Sequence, residues 1–191
     1  MFLVIFIVCA VIAALWQSTH KDIRKKPPSL NKPGYIMIYT DQKGNFDKEK
    51  IVVSEMLVSK KHDIRGKPDY IFMNKRKNDL MPVELKSGKI GQRAFPHKGD
   101  FMQLIAYFVI LEEVFGLEPK EGRIIYKDYM FIVNNIKSHR DEFFNILSDM
   151  RSMLKTGEGK ANASFVSCRH CICNGTVCEF CKNTERAKEK V

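Results

Sequence analysis

The chain has 191 residues, 45% of them hydrophobic, and 32 Lys and Arg against 22 Asp and Glu give it a formal charge of +10. That length holds one domain with a full core plus appendages, and the ordinary apolar fraction excludes a chain too polar to fold. The basic surplus favours a polyanionic partner, either nucleic acid or an anionic membrane face.

Residues 1–19 carry no charge, and MFLVIFIVCAVIAALW is almost wholly apolar. A spanning helix takes about 20 such residues, so this stretch predicts a short membrane anchor. Lys21, Arg24, Lys25 and Lys26 follow it and no basic residue precedes it, which puts the rest of the chain in the cytoplasm, with Trp16 near the interface. A cleaved signal peptide is the alternative, but the basic n-region and the small-x-small cleavage site are missing. Pro27, Pro28 and Pro33 make residues 20–34 a basic, stiff linker.

Residues 35–160 read as the main domain. Tyr35–Thr40 predicts a strand, DQKGN a turn, and Lys50–Leu57 a second strand. Asp69–Met73 and Pro82–Lys86 predict a third and a fourth, joined by the basic loop NKRKND. Apolar residues at 101, 104, 105, 108, 111 and 115 then predict a helix over Asp100–Phe115, N-capped by Asp100 and stopped by Gly116. GRIIY and YMFIV return to strand, and Ser138–Gly157 predicts a second amphipathic helix, capped by Ser138 and ended by Gly157. The class is α+β, with a mixed, mainly antiparallel sheet flanked by helices.

Side chains alternate along a strand, so Glu84 and Lys86 share a face, and Asp69 at the head of the neighbouring strand can reach the same pocket. Two neighbouring carboxylates are costly without a cation between them. Mg²⁺ or Mn²⁺ suits such a site, with the Leu85 backbone carbonyl as a further oxygen. Lys86 would hold or activate the attacking water and steady charge on a phosphate. Gln103 and Tyr107 stand four apart, on one face of the first helix. The competing reading is a surface hairpin with an ordinary Glu–Lys pair.

Taken together, GKPD, PVELKSGK and QLIAY resemble the RecB-type branch of the PD-(D/E)xK nucleases, closest to the CRISPR-associated Cas-four exonucleases and their free-standing relatives. The family's G-x-x-D, [D/E]-x-K and Q-x-x-x-Y motifs fall on Gly66 with Asp69, Glu84 with Lys86, and Gln103 with Tyr107, and the likeness runs from about Tyr35 to Cys178. It implies a restriction-endonuclease-like fold, metal binding by Asp69 and Glu84, catalysis by Lys86, and orientation of the site or DNA contact by Gln103 and Tyr107. The implied substrate is DNA, as single-stranded ends or flaps, with partners among CRISPR adaptation or DNA-repair proteins. The family's metal-binding histidine, on a helix well upstream of G-x-x-D, has no counterpart: His20 is the only histidine in that region, beside the predicted anchor, and His62 and His97, nearer the acids, do not match its position.

Residues 161–191 hold Cys168, Cys171, Cys178 and Cys181 in two C-x-x-C pairs around the turn-forming Asn174–Gly175, with Cys173 and His170 spare. The spacing suggests metal ligation rather than a disulfide framework, and a structural Cys₄ zinc site fits it. The resemblance implies instead a 4Fe–4S cluster held by Cys168, Cys171, Cys178 and one upstream cysteine. Cys9, within the predicted anchor, is the only upstream candidate, and Cys181 completes a local site in its place. Three functions follow: a membrane-tethered metal-dependent DNA nuclease, a non-catalytic DNA-binding module of the same fold, and a membrane-bound iron–sulfur or zinc interaction protein.

Overall fold

A computed structural model describes residues 22–44, 47 and 51–159. The predicted anchor, its Cys9 and His20, and the cysteine tail lie outside those residues. Among the described residues no helix is long and apolar enough to cross a membrane.

The architecture is α+β. Seven strands form one mixed, mostly antiparallel sheet in the order β1-β9-β8-β7-β6-β2-β3, and β4 and β5 form a separate two-stranded sheet. The strands are β1 (Ile23–Lys26), β2 (Ile36–Thr40), β3 (Val52–Val53), β4 (Leu57–Ser59), β5 (Ile64–Gly66), β6 (Tyr70–Asn74), β7 (Asp79–Leu85), β8 (Glu121–Ile125) and β9 (Met130–Asn134). Helix α1 (Lys98–Phe115) joins β7 to β8, and α2 (Lys137–Thr156) follows β9. The β7–β8 and β2–β3 pairs are parallel and the rest are antiparallel.

Strand β7 is the centre. Six of its seven residues are buried, the pattern of a strand covered on both faces. Its parallel pairing with β8 begins at Val83, one residue after Pro82, which has no N–H to give that ladder. One face carries Tyr35, Phe72, Met81, Val83, Ile125, Met130 and Ile132 in a single apolar cluster. The opposite face receives α1. A Cβ on Gly122 of β8 would come within 2.9 Å of both Leu104 and Phe108, so the helix lies directly on the strand there. A Cβ on Gly66 of β5 would come within 2.8 Å of the Tyr107 ring. Helix α1 is therefore clamped between the large and the small sheet. That is why Val109 and Ile110, off the predicted apolar stripe, are buried as well.

Several boundaries differ from the sequence expectation: the strands expected at Asp69–Met73 and Pro82–Lys86 run Tyr70–Asn74 and Asp79–Leu85, which takes both ends of NKRKND into the hairpin, and β5 was not expected. The linker contains β1, whose Ile23–Lys26 pairs antiparallel with Met130–Val133 at the sheet edge. The predicted strand Lys50–Leu57 divides between two sheets, broken after β3 where Ser54 adopts φ 55°. Helix α1 starts two residues early, behind an extended His97 whose side chain makes no capping bond, so Asp100 is not the N-cap. Its carboxylate is engaged elsewhere, as described below. Helix α2 begins at Lys137, which leaves Ser138 inside it; Gly157, at φ 72°, ends it by donating to the Met153 carbonyl at 2.9 Å. One compact unit ends at Asn145 and a second begins at Ile146 within this helix.

Candidate active site

The β6–β7 register places Tyr70 against Val83, so Asp69 and Glu84 stand opposite each other at the open end of the hairpin. Backbone contacts fix that end. The Asp69 carbonyl accepts the Asp41 N–H and the Thr40 hydroxyl, each at 3.1 Å. Asp69 Oδ2 accepts the Leu85 N–H at 2.7 Å, and Oδ1 accepts from the Gln42 side chain. Where β7 runs out, Lys86 N–H donates to the Ile125 carbonyl at 2.8 Å, which holds the Glu84–Lys86 segment against β8.

Helix α1 supplies the other wall. Gln103 Nε2 donates to Glu84 Oε1 at 2.9 Å and to the Tyr107 hydroxyl at 2.7 Å, while its Oε1 accepts from Lys86 Nζ at 2.8 Å. The Tyr107 hydroxyl in turn donates to the Lys67 carbonyl at 3.1 Å. Lys86 Nζ also lies 3.1 Å from Glu84 Oε1 and 3.0 Å from Asp100 Oδ1. The structure thus joins Glu84, Lys86, Gln103 and Tyr107 in one hydrogen-bonded cluster, and Asp69 borders it through its bond to the Leu85 N–H. The i, i+4 spacing of Gln103 and Tyr107 is what lets one amide tie the helix to both residues of the E-x-K segment.

The electrostatics are unbalanced. Glu84 is 7% exposed, and its Oε2 is buried with no hydrogen-bond partner. Burial raises its pKa above the ordinary 4.5 and the neighbouring Asp69 charge adds to this, with Lys86 only partly offsetting them. The Lys86 ammonium is held above the ordinary lysine value: desolvation opposes charge, but bonds to Asp100 and Glu84 outweigh it. Burial and the Glu84 charge keep the Tyr107 phenol neutral far beyond its usual range. Two carboxylates thus share one ammonium, and beside Asp69 the Glu84 Oε2 is a buried acceptor without a hydrogen bond. A hard divalent ion fits that donor set, with Asp69 and Glu84 as its protein carboxylates.

No group of three or more His, Cys, Asp and Glu converges on such an ion among the described residues. His97 stands at the head of α1 with its ring 5.9 Å from Tyr126, and His62 packs 5.0 Å from Phe144. The predicted ligands Cys168, Cys171, Cys178 and Cys181 lie outside the described residues.

Sequence reasoning did not assign Gln42, Asp100 or Tyr126 to the site. Asp100 had a signal: it sits one turn before Gln103, on the same helix face. Gly66 had one too. It adopts no positive φ, so its role is close approach: the Tyr107 ring passes where a Cβ would be. Gly66→Ala is therefore expected to cost about 1–3 kcal/mol by overpacking. It should also displace the Tyr107 hydroxyl from Gln103, and thermal denaturation together with a crystal structure of the variant would measure both effects.

No family model matches the chain, and no curated protein matches it.

Proposed function

We propose that the chain is a divalent-metal-dependent deoxyribonuclease with a restriction-endonuclease-like core, of the Cas-four and RecB-like kind, acting on DNA ends or flaps. The observation that carries this reading is the buried Glu84 Oε2, without a hydrogen bond beside Asp69, together with an ammonium just past the end of β7 that lies 3.1 Å from Glu84 Oε1. A buried carboxylate oxygen without a hydrogen bond costs stability, and a cation held between Glu84 and Asp69 would offset that cost.

In this reading Asp69 and Glu84 hold Mg²⁺ or Mn²⁺, with the Leu85 carbonyl as an added oxygen. The bound ion supplies a water of lowered pKa and neutralises charge on the phosphate. Lys86 steadies the negative charge that builds on the phosphate oxygens, a role open to a side chain held protonated. Gln103 fixes both Glu84 and Lys86. Tyr107 fixes Gln103 and, through Lys67, ties the helix to the segment that carries Asp69. The +10 charge suits a phosphodiester substrate. The test is cleavage of end-labelled single-stranded and flapped DNA by the full chain with Mn²⁺. Activity abolished by EDTA and restored by excess Mn²⁺ is the expected result; no cleavage under either condition refutes it.

A second reading, a DNA-binding module without catalysis, is favoured by one observation: no third carboxylate or histidine joins Asp69 and Glu84 among the described residues. Salt-sensitive DNA binding without cleavage would select it.

Two proposals concern segments outside the described residues. Residues 1–19 tether the nuclease to the cytoplasmic face of a membrane, and the full chain should pellet with membranes and resist extraction by high salt. Release by salt would mean surface attachment instead. Cys168, Cys171, Cys178 and Cys181 hold a 4Fe–4S cluster. Anaerobically purified protein should then be brown, whereas a colourless protein with about one zinc per chain would assign a Cys₄ zinc site.

A further inference from the structure

The first turn of α1 and the end of β8 meet beside the site at two residues that none of the three motifs includes. Asp100 Oδ1 lies 3.0 Å from Lys86 Nζ, and Asp100 Oδ2 accepts the Tyr126 hydroxyl at 2.5 Å. Tyr126 is 3% exposed, its oxygen also accepts the His97 N–H at 3.2 Å, and its ring stands edge-on to Phe131 with centroids 6.0 Å apart. Its backbone N–H donates to the Tyr129 carbonyl at 2.8 Å. Both Asp100 oxygens are thus committed, one to a fixed phenol and one to the lysine.

A lysine side chain is a point charge on a flexible four-carbon stem, and it keeps one geometry only where its acceptors hold it. Lys86 has three: Glu84, Gln103 and Asp100. They are not equivalent. When a cation engages Glu84, that carboxylate is shared and the cation repels the ammonium. Gln103 is neutral. Asp100 is then the one remaining anion among the three, held by Tyr126 and not by the cation's ligands. We infer that Asp100, braced by Tyr126, is a positioning residue that keeps Lys86 in place once Glu84 is occupied by a divalent cation.

This inference rests on the nuclease reading for its purpose, but its test does not need cleavage. The ¹⁵N-labelled full chain, in detergent micelles, is titrated with Mg²⁺ while the Lys86 side-chain ammonium signal is followed by NMR, assigned through its loss in Lys86→Ala. An ammonium gives such a signal only while it is held against exchange. Wild type should keep it at saturating Mg²⁺, Asp100→Asn should lose it, and Tyr126→Phe should broaden it. In Mn²⁺-supported cleavage Asp100→Asn should lower kcat about 10- to 100-fold, as expected for losing a charged hydrogen bond, with KM changed less than about twofold. A wild type without the signal, or an Asp100→Asn variant that keeps it unchanged with Mg²⁺, overturns the inference. If Asp100→Asn fails to fold, an unbroadened signal in Tyr126→Phe overturns it equally. Loss of the signal in Asp100→Asn with no cleavage by wild type would sustain the positioning role and refute the nuclease reading.

Discussion

Lys86→Ala is expected to lower the rate of DNA cleavage by about 10³-fold, at the scale of removing a donor that meets charge only in the transition state. KM for DNA should stay within a few-fold, because the phosphates bound in the ground state are met by many other cations of a +10 chain. Single-turnover cleavage with Mn²⁺ measures the first quantity, and DNA binding in Ca²⁺ the second. Activity at the wild-type level would remove Lys86 from the mechanism.

The same substitution carries a stability cost. Lys86 is bonded to Glu84 and Asp100, so its loss leaves both carboxylates without their shared counter-ion. Its pKa is raised by folding. A cation raised in this way stabilises the fold fully below its unfolded pKa, and that stability disappears only as pH climbs through the folded value. The Lys86 contribution is therefore fully present at neutral pH and fades in the alkaline range. Denaturation of Lys86→Ala should show a deficit at pH 7 that narrows above pH 10.5, the ordinary lysine value.

The site was more legible in the sequence than the frame around it, and the reason is local geometry. Glu84 and Lys86 share a face because strands alternate, and Gln103 and Tyr107 because helices repeat near four residues. The short basic loop sets the hairpin register, and the register brings Asp69 opposite Glu84. All three motifs then need only α1 to cross back from β7 to β8 over the sheet. The residues that escaped notice depend on distant pairings. Gln42 reaches Asp69 because β2 pairs with β6, and Tyr126 reaches Asp100 because β8 lies beside β7. Strand β1 was hidden in IRKK, a polar stretch that becomes a strand only by pairing with β9 at an edge, where Arg24 and Lys26 stay exposed and Lys25 lies over the Tyr129 ring. The Lys50–Leu57 run looked continuous because its apolar pattern does not show the left-handed turn at Ser54. Helix α1 was legible as a helix but not as one buried on two sides, since the β4–β5 sheet that covers its second face was itself not fully predicted.

Glu84→Gln is expected to separate stability from function. Burial and the Asp69 charge raise the Glu84 pKa, so folding opposes its ionisation. An acid raised in this way costs nothing while both states are protonated, below about 4.5. The cost grows as pH rises through the window between 4.5 and the folded value, and it is complete above that window. At pH 7 and without divalent ions, replacing the carboxylate by an amide of the same shape should therefore raise Tm, by about 2–5 °C for a relief near 1 kcal/mol in a domain of this size. Saturating Mg²⁺ should reverse the order. Wild type gains stability by mass action, about 2.7 kcal/mol at a hundred times its Kd, because the ion binds the folded site alone. On the proposed assignment the variant lacks one of two carboxylate ligands, so its Tm should hardly respond and the proposed cleavage should be lost. Thermal scans of both proteins with EDTA and with Mg²⁺, and calorimetric titration with Mn²⁺, measure the crossing. An unchanged Mn²⁺ affinity in Glu84→Gln would show that the buried, unpartnered oxygen is not a ligand atom. A variant less stable than wild type in EDTA would show that the Lys86 and Gln103 bonds to Glu84, rather than its burial beside Asp69, decide the balance of this site.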